Sequence, residues 1–201
     1  MSKIAIFVSG SGTNMDNLIK EIQAGKIPEA EAALVICDNP AAGAIEKAKK
    51  RNVPLVLVER SKFASKPEFE AAMIRHLESH EIDFIALAGY MKILTPYFIK
   101  SFPNKILNVH PSLLPSFKGI QGIKDAFTYG CKVTGATIHF VDDKMDHGPI
   151  IMQDSIKIGE DDTLETLTEK VHKIEHRIYP KAIALFAEDR LKIVGRKVKI
   201  L

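Results

Sequence analysis

Two cysteines, Cys37 and Cys131, are all the chain contains. They lie far apart, form no CxxC pair and offer no zinc-ligand spacing, which argues against a disulfide framework or a structural zinc site. Tryptophan is absent. No run of about 18–20 apolar residues occurs, the length a membrane-crossing helix needs. The start, Met1-Ser2-Lys3, runs directly into an alternating apolar segment, without the apolar core or small-residue cleavage site of a secretory signal. The charge excess is small: 28 Lys and Arg against 25 Asp and Glu leave +3, too little to mark a nucleic-acid binder. Repeats, linkers and low-complexity segments are also missing. These absences point to a cytoplasmic protein with reduced thiols and with neither nucleic acid nor membrane as partner. What is present suits a single globular domain with a sizeable core: 201 residues, 46% hydrophobic and 26% charged.

Short apolar runs alternate with segments of helical periodicity. Residues 3–8 (KIAIFV), 32–37, 54–58, 83–88 (DFIALA) and 106–109 read as strands. Residues 14–24, 41–51 and 65–80 read as helices, the last opened by a capping box of Ser65 and Glu68. This alternation predicts βαβ units and a mainly parallel sheet, and runs such as FIALA fit strands covered on both faces. The second half differs. Residues 133–141 (VTGATIHFV) and 150–158 alternate between glycines and read as longer, partly antiparallel strands. A long helix is expected from Asp162, with Asp162 and Glu165 as its capping box and a stripe through Leu164, Leu167, Val171, Ile174, Ile178, Ala182 and Leu185. Pro180 should kink it. Residues 191–201, with Gly195-Arg196 at their centre, read as a closing hairpin.

Three constellations carry chemical groups. The first is the loop Ser9-Gly-Ser-Gly-Thr-Asn14, between the first strand and the first helix. Glycines allow a sharp turn with outward amides, and the helix N-terminus adds partial positive charge, so the loop can cradle an anion. A dinucleotide fingerprint would need glycine where Met15 stands, although Asp38 at the end of the second strand suits one. A plain βα turn remains the alternative. The second is Asn108-Val-His110-Pro-Ser-Leu-Leu-Pro115. Asn108 and His110 are two apart at the carboxyl end of a strand, so they share a face. An amide beside an imidazole can donate to a developing oxyanion. Pro111 and Pro115 restrict the loop that follows. The third is Asp142-Asp143-Lys144-Met145-Asp146-His147-Gly148-Pro149, a carboxylate-rich turn. One of its acids beside His110 would hold the charged imidazole, and a solvated hairpin turn is the alternative reading. His139 alternates within a strand and reads as structural. Glu175 falls off the long helix's stripe by spacing and reads as a surface residue.

Together these segments resemble the phosphoribosylglycinamide formyltransferase family. The resemblance rests on IAIFVSGSGTN (4–14), LAGYMKIL (87–94), NVHPSLLPSFKG (108–119), GATIHFVDDKMDHGPII (135–151) and EHRIYP (175–180), in the family's order and spacing across nearly the whole chain. It implies transfer of a formyl group from 10-formyltetrahydrofolate, as co-substrate and without a metal, to the amine of glycinamide ribonucleotide in purine biosynthesis. Asn108, His110 and Asp146 match the family's catalytic trio. Gly12, Thr13 and Asn14 match its phosphate loop, and Glu175 a substrate-binding position, against the surface reading from spacing. Lys66, Met91, Lys92, Ile93 and Leu94, with Asn108, Asp142, Asp143, Lys144, Met145 and Asp146, match the folate-binding segments. Position 66 is often Arg in the family, so a forked contact becomes a point charge here. His147 stands where the family usually has a small or neutral residue.

The expected fold is α/β: a Rossmann-like, mostly parallel sheet flanked by helices, with an antiparallel extension in the C-terminal half. Residues 1–201 are read as one formyltransferase domain, 1–100 the phosphate-binding half and 101–201 the catalytic and folate-binding half. The partners implied are the two small substrates, on a monomer or a homodimer. The folate is expected in a cleft between residues 90–94 and 142–146. Rival readings are methionyl-tRNA formyltransferase, which carries a further C-terminal domain, formyltetrahydrofolate hydrolase, which carries an N-terminal one, and a nucleotide-binding dehydrogenase-type module built on the Ser9–Asn14 loop and Asp38.

Overall fold

Strand β1 (Ser2–Val8) takes its place from its side chains: Ile4, Ala5, Ile6, Phe7 and Val8 are all buried, which requires cover on both faces. Helices supply that cover. The computed structural model describes residues 1–201, which form two compact units, Met1–Ile106 and Leu107–Leu201.

In the first unit α1 (Thr13–Gln23), β2 (Ala30–Cys37), α2 (Ala44–Lys50), β3 (Leu55–Leu57), α3 (Lys66–Ser79), β4 (Phe84–Leu87) and α4 (Pro96–Ser101) follow β1. The strands lie in the order β3-β2-β1-β4 and every pair is parallel. Helix α1 buries Met15, Leu18 and Ile19, the stripe its 3.6-residue period predicts. Phe7 packs edge-on to Tyr90 and Phe98, with ring centroids 5.3 and 6.0 Å away. Ser65 caps α3 by accepting from the Glu68 amide at 3.3 Å. Glu68 reaches back one residue further than the capping box predicts, to the Ala64 amide at 3.2 Å.

The second unit holds β5 (Ile106–His110), α5 (Gly122–Tyr129), β6 (Val133–Phe140), β7 (Ile150–Lys157), α6 (Leu164–Ala187) and the hairpin β8 (Leu191–Val194) and β9 (Lys197–Ile200). The order is β5-β6-β7-β9-β8, antiparallel except for the β7–β9 pair. The chain is therefore α/β, parallel first and largely antiparallel later. No helix is long and apolar enough to cross a membrane.

Two expectations about α6 are corrected. Its cap is Thr163 rather than Asp162: Thr163 and Thr166 bond each other's backbone amides reciprocally. The Asp162 carboxylate instead accepts from Gly159 N at 2.6 Å, Thr166 Oγ1 at 2.9 Å and Lys170 Nζ at 2.6 Å. Glu175 is no surface residue. It is 3% exposed, because it stands four residues from both Val171 and Tyr179 and so lies on the buried face itself. The helix continues as one element past Pro180, and Tyr179 anchors it by donating to the Leu107 carbonyl at 3.2 Å.

Candidate active site

In the first unit the Ser9–Asn14 loop is turned by its neighbours. Asn39 Nδ2 donates to the Ser9 carbonyl at 3.0 Å, Ala44 N to Gly10 at 3.2 Å and Lys47 Nζ to Ser11 at 2.7 Å. A trans peptide points its N–H opposite to its C=O. Three carbonyls drawn toward Asn39 and helix α2 therefore aim the amides of Gly10, Ser11 and Gly12 the other way. Gly12 has φ +72°, and a Cβ there would sit 2.7 Å from the Ala44 Cβ, so only glycine allows this close approach. Thr13 and Asn14 open α1, whose first amides have no intrahelical acceptor. The loop has the geometry of an anion cradle.

The other residues expected to act in this unit are Lys66 and residues 91–94. Lys66 begins α3, half-buried. Met91, Lys92 and Ile93 are exposed, whereas Leu94 is buried. The segment is held at both ends: Met91 N donates to Ser9 Oγ at 2.9 Å, and the buried Glu70 accepts from Thr95 N at 2.8 Å and from Thr95 Oγ1. Burial pushes the Tyr90 hydroxyl far above its usual range, with the Asp38 charge adding to the effect.

In the second unit Asn108, His110 and Asp146 converge. Asn108 and His110 project from β5 opposite His139 and Thr137 of β6. His110 Nε2 lies 2.9 Å from the Phe117 carbonyl, which only accepts, so Nε2 carries a hydrogen. Nδ1 then faces Asp146, 3.6 Å from Oδ2. That carboxylate oxygen also accepts from Gly119 N at 2.7 Å. The loop after His110 is fixed by more than its prolines. Thr137 Oγ1 donates to the Ser112 carbonyl at 2.7 Å and accepts from Leu114 N at 3.1 Å, while Gln153 Nε2 donates to the Leu114 carbonyl at 2.9 Å.

His139, read from sequence as structural, joins this cluster. It is 2% exposed, and burial holds its ring below the usual histidine pKa, that is, neutral. Its Nδ1 donates to the Phe140 carbonyl at 2.8 Å, which leaves Nε2 as an acceptor for Asn108 Nδ2 at 3.1 Å. One amide hydrogen of Asn108 is thereby fixed on His139 and the other remains for a ligand. His139 Nε2 also lies 4.0 Å from Asp146 Oδ1. The signal available in the sequence was a polar side chain within an otherwise buried strand; its partner depended on the β5–β6 register.

Around Asp146, residues 143–145 are exposed and Asp142 is half-buried. Glu175 is buried on α6, with His172 Nε2 4.0 Å from its carboxylate and Tyr179 close enough for the Glu175 charge to raise the Tyr179 hydroxyl pKa further. No group of three or more His, Cys, Asp and Glu side chains is arranged to hold a metal ion.

A neutral amide with one committed and one available hydrogen, an imidazole anchored at one nitrogen and a carboxylate facing the other could donate to a developing oxyanion and take up a proton. Residues 2–183 match the Formyl transferase family. The phosphoribosylglycinamide formyltransferase of Bacillus subtilis (strain 168) is 44% identical over 183 residues, covering 91% of this chain and 93% of that protein. The crystal structure of glycinamide ribonucleotide transformylase 1 from Symbiobacterium toebii superposes with a TM-score of 0.97 at 42% identity, over 100% of this chain and 94% of that one. The trifunctional purine biosynthetic protein adenosine-3 of Gallus gallus is 40% identical over 200 residues, but this chain spans 20% of its length. The chain belongs to the formyl transferase family. It is thus an enzyme that moves a one-carbon formyl group, and the family draws that group from a formyl-folate co-substrate.

Proposed function

We propose that this chain transfers the formyl group of 10-formyltetrahydrofolate to the amine of N1-(5-phosphoribosyl)glycinamide, a step of purine biosynthesis in the cytoplasm. The observation that carries the reading is the cluster in the second unit of Asn108, bonded to His139, with His110 and the carboxylate of Asp146 that faces it. The co-substrate supplies the formyl carbon, and the chain supplies charge control. As an amine attacks a formyl carbonyl, negative charge grows on the oxygen. The free hydrogen of the Asn108 amide, oriented by His139, and the His110 Nδ1 in its protonated form donate to that oxygen. Asp146 faces the same Nδ1, balances its charge and accepts the proton leaving the amine, directly or through water; the oxyanion then collapses, the bond from the formyl carbon to N10 of the folate breaks, and that nitrogen takes up the proton as tetrahydrofolate leaves. These steps use side chains alone, without a metal or a covalent enzyme intermediate.

The ribonucleotide's phosphate is assigned to the amides at Gly12, Thr13 and Asn14. The buried Glu175 carboxylate is assigned to its glycinamide end, where an ammonium or amide donor suits a desolvated acid. Lys66, Met91, Lys92, Ile93, Leu94 and residues 142–146 are assigned to the folate. In the first unit, exposed Met91 and Ile93 offer apolar cover for a planar ring, and Lys66 offers a cation for a carboxylate.

The test mixes the purified chain with both substrates and follows tetrahydrofolate release. Release that requires the ribonucleotide supports the proposal. Release with water as sole acceptor would make the chain a hydrolase, and no release with either acceptor would remove the reading.

A further inference from the structure

Residues 191–201 lie beyond the segment that matches the formyl transferase family, yet they reach the loop that carries Asp146. The turn between β8 and β9 sets Arg196 beside His147. Arg196 Nη2 donates to the His147 carbonyl at 2.6 Å, and Nη1 lies 3.3 Å from each ring nitrogen. The His147 ring in turn meets Asp142, with Nδ1 2.7 Å from Oδ2. A carboxylate only accepts, so Nδ1 carries the hydrogen of that bond and Nε2 is the ring atom open to Arg196. The other Asp142 oxygen accepts from Lys144 N at 3.0 Å. Asp142 thus closes loop 142–147 from within, and Arg196 ties its end from outside.

That loop has to be held. Asp146 has φ +48°, a left-handed conformation uncommon for residues with a side chain though less so for aspartate, so the contacts around it help to decide its orientation. Its neighbour His147 is the residue Arg196 grips, and the next, Gly148, passes so close to β6 that a Cβ there would lie 1.7 Å from the Phe140 carbonyl. Arg196 and Asp146 also line one cavity, of about 120 Å³, with Pro115 and Lys118.

We propose that Arg196, His147 and Asp142 form a clamp that holds Asp146 in its left-handed, His110-facing conformation, so that the C-terminal hairpin is part of the active-site frame in this chain. Arg196 and His147 are positioning residues. The clamp's effect on turnover rests on the role given to Asp146 under the proposed function; its effect on the loop does not.

Two measurements on the full-length chain test it. The first is steady-state kinetics of Arg196→Ala with each substrate varied. The expected result is a kcat lowered about 3- to 10-fold, the range for a partly exposed charge-assisted hydrogen bond, with the ribonucleotide KM within about twofold of the unaltered chain. Arg196→Lys keeps one donor for the His147 carbonyl and restores part of the loss. His147→Ala keeps the carbonyl bond, cuts the link to Asp142 and falls between. The second is amide hydrogen exchange at Gly119, whose N–H donates to Asp146 Oδ2. It should quicken about 3- to 10-fold in Arg196→Ala, whatever the activity. Unchanged exchange at Gly119 would overturn the clamp. So would a kcat loss matched by an equal rise in ribonucleotide KM and a lowered urea midpoint, the signs of general unfolding. An unaltered chain that transfers no formyl group would count against the proposed function, and the exchange result would still decide the clamp.

Discussion

Gly12→Ala is the smallest change that should break the anion cradle. At φ +72° a residue with a Cβ costs roughly 1–2 kcal/mol more than glycine. The added carbon would also meet the Ala44 Cβ at 2.7 Å, the Ala44 Cα at 2.9 Å and the Met15 Cε at 3.3 Å. Only the methionine can rotate aside; both alanine atoms are fixed to the α2 backbone, and overpacking of this kind costs about 1–3 kcal/mol. A total destabilisation of roughly 2–5 kcal/mol follows, a large part of a typical domain's stability. The chain can relieve the clash only by moving the loop off α2. That stretches Ala44 N to Gly10 O and Lys47 Nζ to Ser11 O, the bonds that aim the amides. Urea denaturation should show the stability loss, and the ribonucleotide KM should rise about tenfold or more while the formyl-folate KM holds. Gly10→Ala is the control. Its Cβ would meet nothing within 4 Å, and it should stay within about 0.5 kcal/mol of the unaltered chain. A Gly12→Ala protein with unchanged midpoint and KM, or with both KM values raised alike, would refute the cradle.

The other predictions concern the groups that hold the site. If His139 acts through Asn108, a double-mutant cycle of His139→Ala and Asn108→Ala should be strongly non-additive, the pair losing little more kcat than Asn108→Ala alone; additive losses would separate the two residues. Because burial lowers the folded-state His139 pKa below its ordinary 6.5, the unfolded chain binds its proton first. This contribution to stability is therefore present above about pH 6.5 and lost as pH falls from there through the folded value. Urea midpoints measured downward from pH 7.5 should show the loss, and His139→Gln should flatten it. Glu70→Ala would leave the Thr95 amide and hydroxyl without their buried acceptor. It should cost about 1–3 kcal/mol and raise the formyl-folate KM more than the ribonucleotide KM, by loosening residues 91–94.

What the sequence disclosed and what it withheld divide along local and non-local lines. The period of Met15, Leu18, Ile19 and Ile22, the apolar run of β4 and the two-residue spacing of Asn108 and His110 are local, and each appears in the fold, with Ile22 only half-buried at the end of its stripe. Helices α4 and α5 went unread because they are short: six and eight residues give too few turns for a period to emerge. The α6 cap was misplaced by one residue because Asp162 and Thr163 are both good caps, and the choice was settled by Lys170 and Gly159 claiming the Asp162 carboxylate. Glu175 was misread by a phase error: at about 100° per residue it sits between Val171 and Tyr179 on the buried side. The rest of the site depends on pairings distant in sequence. His139 meets Asn108 through the β5–β6 register, the Ser9–Asn14 carbonyls are turned by residues of the following βα unit, and Arg196 reaches His147 from the far end of the chain.

In the proposed reaction Asn108 and His110 together hold the charge that develops during formyl transfer. Turnover of Asn108→Ala and of His110→Ala, at saturating 10-formyltetrahydrofolate and glycinamide ribonucleotide and with unchanged urea midpoints, measures it directly. A fall of about 10²- to 10³-fold in each is the predicted result. Turnover near that of the unaltered chain in both variants would contradict it.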